Sequence, residues 1–170
     1  MEEIPGLEVV PLNWSITVML RAFERVRGTG WDDPMGAFAA IGETLWWIGV
    51  VREGLDELYP GATSALAARE PQRIDELLAG LRFARNRIGH GVDEVRYATA
   101  TALGPSGTQA KWTWEPLERR PKGSNNGYEA YQLSVAGVDV VESLVRATIF
   151  LGQVASQMWR QPDVLDSSPH

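Results

Sequence analysis

Residues 71–91, which read PQRIDELLAGLRFARNRIGHG, combine a helical pattern with a cluster of polar residues. Their apolar residues recur at a spacing of three to four, which is the spacing of one stripe along an α-helix. Counted at about 100° per residue, Arg85 lies close to this stripe. The segment therefore predicts a core helix that carries polar groups in its last turns. The stripe consists of Ile74, Leu77, Leu78, Leu81, Ala84 and Ile88.

The polar groups of this segment crowd towards its end. Asn86 and His90 are four residues apart and therefore share one helix face. Gly89 and Gly91 flank the histidine, so the helix is expected to loosen there and to let Arg85 and His90 converge. A guanidinium, an amide and an imidazole at one helix end make a candidate phosphate site.

Each of these residues also has a purely structural interpretation. A guanidinium near a core stripe needs an anionic partner, and Glu43 or Asp56 would serve. His90 would stabilise the helix end, where a cation interacts favourably with the helix dipole. Asn86 would make a polar contact at the same end.

The pattern Arg85-Asn86-x-x-x-His90 near a helix end resembles the signature of the HEPN superfamily. Helical patterns on both sides extend the resemblance over most of the chain. The resemblance implies an up-and-down helical bundle that pairs with a second copy and needs no cofactor. Active members are metal-independent endoribonucleases of toxin, antiviral and RNA-processing systems, and inactive members bind partners. An antitoxin or another protein partner is therefore a further expectation.

The resemblance also implies roles for the three motif residues. His90 would act as general base on a ribose 2′-hydroxyl, and Arg85 would hold the scissile phosphate. Asn86 would orient one of them, and the product would be a 2′,3′-cyclic phosphate. Cleavage of RNA by acid–base catalysis requires two proton-transfer groups. Each chain has only one histidine besides the terminal His170. A two-fold dimer that pairs the motif helices would supply both, with Trp47 and Phe83 as the expected interface.

One position departs from a subgroup of the family. HEPN toxins paired with nucleotidyltransferase antitoxins carry a tyrosine two residues after the histidine, and this chain has Val92 there. This argues against membership of that toxin class. The alternative function is a catalytically silent helical domain that binds a nucleotide or a protein. A shared cleft open to water across two motifs favours cleavage, whereas a buried pair of Arg85 with Glu43, with His90 facing away, favours a structural role.

Composition bounds the other possibilities. The 170 residues are 44% hydrophobic and 22% charged, which suits one helical domain over residues 1–160. A net charge of −6 argues against broad adhesion to nucleic acids or acidic membranes. The chain has no cysteine and one histidine outside its tail, so no metal site is expected. Without a signal peptide or a long apolar run, we expect a cytoplasmic protein without a membrane span.

The remaining helices follow from caps and apolar spacing. The longest in the first half has so broad an apolar surface that it is either central in a bundle or shared with a second subunit. The expected inward residues are Trp14, Val18, Met19, Ala22, Phe23 and Val26 in the first helix, Met35, Phe38, Ala39, Leu45, Trp46, Ile48, Val51, Leu55 and Leu58 in the second, and Val138, Val141, Val145, Ile149 and Gly152 in the last. The predicted helices are 13–27 (capped by Asn13 or Ser15), 34–58, 63–68, 71–88, 92–103 and 135–158.

A small β-hairpin is predicted near residues 111–133. Residues 111–115 and 128–133 have strand-forming composition, with turn formers between them. Tryptophans or tyrosines of these strands should lie on the helical body. The hairpin tip carries three positive charges, Arg119, Arg120 and Lys122, which would contact RNA. Arg82 and Arg87 of the motif helix would extend this contact. The alternative for all five residues is an ordinary solvated surface. Residues 161–170 are expected to be a disordered tail.

Overall fold

A computed structural model describes residues 9–30, 32–70, 73–90, 98–103, 109–119 and 125–160. Within these ranges the chain is mainly helical with one antiparallel pair of strands, as predicted. Nothing is described of the predicted tail 161–170, nor of 92–97. The elements are α1 (Val9–Gly28), α2 (Pro34–Leu58), α3 (Ala62–Ala67), α4 (Ile74–His90), β1 (Ala98–Leu103), β2 (Gln109–Trp114), α5 (Tyr128–Ser134) and α6 (Val140–Arg160).

The four long helices form a bundle around α2. Helix α2 contacts α1, α4 and α6, and α6 also contacts α1 and α4. These contacts agree with the first of the two alternatives for α2, a helix inside a bundle, and α6 contacts equally many of the long helices. The stripe of α4 faces this core, since Ile74, Leu77, Leu78, Leu81 and Ala84 are buried. The core thus fixes which side of α4 is left for Arg85.

The start of α2 follows from its cap. The Asp33 carboxylate accepts a hydrogen bond from the Gly36 backbone N–H at 2.8 Å, and Pro34 occupies the first turn. Proline is tolerated there because the first N–H groups of a helix have no partner within it. The predicted bounds of α2 are confirmed.

Helix α1 begins earlier than its predicted start at residue 13. It starts at Val9, and Pro11 lies within the first turn. The reason is the same as for Pro34, since a proline in the first turn removes no helical hydrogen bond.

The hairpin is built from a different pair of segments than predicted. Strand β2 pairs with the preceding β1, from Ala98 opposite Trp114 to Leu103 opposite Gln109. The prediction of a helix over 92–103 is therefore wrong for 98–103, where threonine and alanine alternate with the period of a strand. The hairpin does lie on the helical body, because Trp112 contacts Phe38 of α2 edge-on and Trp114 donates a hydrogen bond to Ser143 of α6.

The second predicted strand, 128–133, is the helix α5. Gly127 adopts a left-handed conformation with φ of 85° directly before it. Tyr128 and Tyr131 are three residues apart, so both reach Phe83 of α4 from one helix face. Aromatic packing thus favours a helix where composition favoured a strand.

Helix α6 starts at Val140, not at 135. The Asp139 carboxylate accepts from the Glu142 backbone N–H at 3.0 Å and caps it. Its predicted stripe faces the core only in part. Val138, Val141 and Val145 are partly buried against the core, whereas Ile149 is exposed. The helix has apolar residues on several sides, and the side that packs carries Val140, Leu144, Ala147, Leu151, Val154, Ala155 and Met158.

Several large apolar residues expected inside lie on the surface. Met35 and Trp46 of α2 are exposed, and Trp14 of α1 packs edge-on against Trp47 with 59% of its surface exposed. Phe83, expected at a dimer interface, is buried against α5. Part of the surplus apolar surface of α2 is thus external.

By length and composition alone, α2 is also able to span a membrane, and it is the one described helix with that property. Core helices of soluble proteins often pass the same test, so the finding is weak evidence for a span.

Candidate functional site

Arg85 lies in a cleft between α4 and α2. Its Nη1 atom is 3.6 Å from Oε1 of Glu53, and its Cζ atom is 5.8 Å from the centre of the Trp46 ring. The Arg85 side chain retains 20% exposure and that of Glu53 68%. Arg85 therefore has a solvated carboxylate partner at its side, and its guanidinium remains accessible from the cleft.

The partners predicted for Arg85 are wrong. Glu43 instead forms an ion pair with Arg25 of α1 on the surface. Asp56 lies 3.7 Å from Nε of Arg52, one turn away on the same helix. Glu53 was missed because the sequence shows the helix face of each acid but not the height at which α4 crosses α2.

Gly49 explains how Arg85 fits against α2. A methyl group at Gly49 would overlap Nη1 of Arg85. Glycine in a helix interior destabilises it by about 1 kcal/mol relative to alanine. Here the missing side chain creates the space that the guanidinium occupies. Sequence reasoning missed this residue, although an isolated glycine within a long apolar helix was the available signal.

The cleft has a volume of about 320 Å³. Its floor consists of Leu45, Ile48 and Leu78, which are all buried apolar residues of α2 and α4. Charged residues of both signs surround this floor, and they are Arg52, Glu53, Asp56, Arg82 and Arg85. Arg82 is exposed, as predicted for a residue of a positive patch. The volume is within the range of small-molecule sites, about 300–1,000 Å³.

The other two motif residues both lie on the last turns of α4. Asn86 is exposed. His90 is the last residue of the helix, and its side chain is outside the described part of the structure. The backbone therefore keeps Asn86 and His90 one turn apart.

Arg87 contradicts the prediction of an RNA-contacting surface residue, because it is only 8% exposed. Its Cζ atom lies 6.0 Å from the centre of the Phe83 ring, one turn earlier. Phe83 in turn packs on Tyr131, so this side of α4 faces α5. Arg87 belongs to the packing between these helices.

The predicted basic tip is only partly described. Arg119 is exposed and forms an ion pair with Glu129, and its Cζ atom lies 4.9 Å from the centre of the Tyr128 ring. Arg120 and Lys122 lie outside the described residues. The contacts of Arg119 hold it to α5, so RNA would have to compete with Glu129 for it.

One described side chain has a strongly shifted pKa. Burial raises the pKa of Tyr131 above its usual range, and Glu115 raises it further, while Arg87 opposes the shift. Its hydroxyl donates a hydrogen bond to the Glu115 carbonyl. Tyr131 is therefore a neutral structural donor.

Among the described residues, no group of three or more histidine, aspartate and glutamate side chains could hold a metal ion. No family model, curated protein or solved structure matches this chain. The functional conclusion therefore depends on the geometry of the cleft and on the motif.

Proposed function

We propose that this chain is a HEPN-like, metal-independent endoribonuclease that acts as a cytoplasmic homodimer, in a toxin or antiviral system. The observation that carries the proposal is the position of Arg85. Its guanidinium lines a cleft open to solvent instead of being buried against Glu43. A phosphate-binding arginine needs such access, whereas a structural one does not.

Arg85 would bind the scissile phosphate and stabilise its developing charge. Charge-assisted hydrogen bonds from a guanidinium to phosphate are strong and bidentate. The phosphate would replace Glu53, whose distance of 3.6 Å from Nη1 exceeds that of a direct charge-assisted hydrogen bond. Displacing so exposed a carboxylate costs little.

His90 would remove the proton of the ribose 2′-hydroxyl, and the resulting alkoxide would attack the phosphorus atom. The bond to the 5′-oxygen would break, leaving a 2′,3′-cyclic phosphate and a 5′-hydroxyl. The leaving oxygen needs a proton, which a second histidine from the partner subunit would supply. Asn86, exposed one turn before His90, would orient the imidazole or the phosphate.

One exposed apolar side chain beside the cleft and another nearer the start of α2 support the proposed dimer. Trp46 is 58% exposed and lies next to Arg85, and Met35 is exposed on the same helix. Burying such side chains against a second copy is favourable by about 1.5–3 kcal/mol each.

The experiment is cleavage of an RNA pool by wild type, Arg85→Ala and His90→Ala in the presence of EDTA. We expect a loss of about 100- to 1,000-fold in both variants, at unchanged folding by circular dichroism. Arg21→Ala, an exposed arginine of α1, is the matched control and should retain full activity. Equal activity in all four proteins would contradict the proposal.

The Glu53–Arg85 pair favours a second candidate, a silent domain that binds a nucleotide or a protein partner such as an antitoxin. Arg85 already has an anionic partner in Glu53, so its position does not require a scissile phosphate. Tight nucleotide binding without cleavage of any RNA would select this alternative.

A further inference from the structure

The cleft extends well beyond Arg85 and has more features than phosphate binding needs. Its apolar floor of Leu45, Ile48 and Leu78 lies between α2 and α4. A phosphate group alone gains nothing from contact with an apolar surface, whereas a flat aromatic group would pack against it. The group next to a scissile phosphate in RNA is a nucleobase.

The charges around the floor restrict which base fits. Glu53 and Asp56 are three residues apart on one face of α2 and supply acceptors. Arg52 and Arg82 supply donors from α2 and α4. A base that presents two adjacent donors on one edge and two acceptors on another would match both sets.

Guanine has this arrangement. Its N1–H and N2–H₂ groups match the two oxygens of a carboxylate, and its O6 and N7 atoms match a guanidinium. Uracil offers a single N–H between two carbonyls, so it satisfies the carboxylate only in part. The difference predicts discrimination between the two bases.

We propose that the cleft between α2 and α4 is a guanine-binding subsite and that Glu53 is its specificity residue. The inference rests on the proposed function, because it assigns the base whose phosphate Arg85 holds. Binding transfers Arg85 from Glu53 to the phosphate and leaves the Glu53 carboxylate for the N1–H and N2–H₂ groups of guanine. A single exchange of partners therefore satisfies both charged residues.

The test is calorimetric titration of the full chain with guanosine 3′-monophosphate and uridine 3′-monophosphate. These probes carry the base and the phosphate without a bond to cleave, so binding is measured independently of ribonuclease activity. We expect the guanosine nucleotide to bind at least about fivefold more tightly. Glu53→Gln should abolish this preference, because the amide offers one acceptor and a donor in place of two acceptors.

Glu57→Gln is the matched control. It removes the same charge from an exposed position one turn along α2 that does not line the cleft. The preference should remain in this variant. Equal binding of the two nucleotides, no binding of either, or a preference that survives Glu53→Gln would overturn the inference. Failure of the proposed function would instead appear as guanosine nucleotide binding without RNA cleavage.

Discussion

The two sides of α4 pack against their neighbours in different ways. On the α5 side, a methyl group at Gly127 would lie 2.7 Å from the carbonyl oxygen of Ala79, and one at Gly80 would lie 3.0 Å from the Cα atom of Tyr131. On the α2 side, the atom nearest to a methyl group at Gly49 is the end of the Arg85 side chain. Backbone cannot yield to such a group, whereas an arginine side chain can rotate. The α5 side is therefore a rigid contact, and the α2 side is an adaptable one.

This difference explains why two arginines of one helix have different roles. Arg87 is buried on the α5 side, beside Phe83. Arg85 lies in the open cleft on the α2 side. The exchange of Glu53 for a phosphate that we propose for Arg85 would therefore take place on the side that can adapt.

The largest expected effect is on stability, at Gly127. Gly127→Ala would place a methyl group against the Ala79 carbonyl and force a non-glycine residue to a φ of 85°. We expect a loss of about 3 kcal/mol in the free energy of unfolding, measured by urea denaturation. Gly152→Ala in α6, where nothing lies within 4 Å, is the control and should be neutral or stabilising. Equal stabilities would mean that the α4–α5 contact is not rigid.

The next effect separates the two arginines. Arg87→Ala should destabilise the fold by about 2 kcal/mol, because it removes a buried side chain and its contact with Phe83. Arg85→Ala should change stability by no more than about 0.5 kcal/mol, since its ion pair is solvated. Thermal denaturation of both variants measures the difference. Comparable losses would place Arg85 among the structural residues.

Gly49→Ala tests the adaptable side without altering any charge. The methyl group displaces the Arg85 guanidinium, so we expect about a tenfold loss of RNA cleavage from a misplaced phosphate ligand. Stability should stay equal or rise by up to about 1 kcal/mol, because alanine favours the helix. Gly42→Ala in the same helix, whose nearest neighbour is Ile88 at 4.0 Å, should retain full activity. Full activity in both variants would show that the space at Gly49 is not needed to position Arg85.

The smallest effect is the pH dependence from Tyr131. Its folded pKa is raised, so the unfolded state loses the phenolic proton first as the pH rises above the ordinary value of 10.0. The stabilising contribution is complete below that pH, and it decreases above it by up to about 1.4 kcal/mol per pH unit. Urea denaturation between pH 9 and 11 should show this decrease in wild type and a shallower one in Tyr131→Phe. Identical slopes would contradict the assignment of Tyr131 as a buried donor.

The sequence predicted elements best where local signals and tertiary packing agree. Helix α2 has both a cap at Asp33 and a broad apolar surface, and its predicted bounds are confirmed. The stripe of α4 was predicted from its apolar spacing. Five of its six residues are buried, and Ile88 is partly buried against the core. The prediction for the α5 segment was wrong because its composition favours a strand, whereas the contacts of Tyr128 and Tyr131 with Phe83 favour a helix.

The candidate site was predicted in part. The position of Arg85 beside the core follows from helical periodicity. Its partner Glu53 and the glycine opposite it depend on the crossing of α2 and α4, which no local pattern encodes. For Arg87, periodicity identifies the helix face but not the later segment, α5, that covers it.

We would first analyse the ends of the RNA products that the wild-type protein generates in the presence of EDTA, since these ends report the proposed attack by the 2′-hydroxyl. Attack by a neighbouring 2′-hydroxyl, guided by Arg85 and His90, predicts 2′,3′-cyclic phosphate and 5′-hydroxyl ends. Products with 3′-hydroxyl and 5′-phosphate ends, or cleavage that stops when divalent metal is removed, would contradict it.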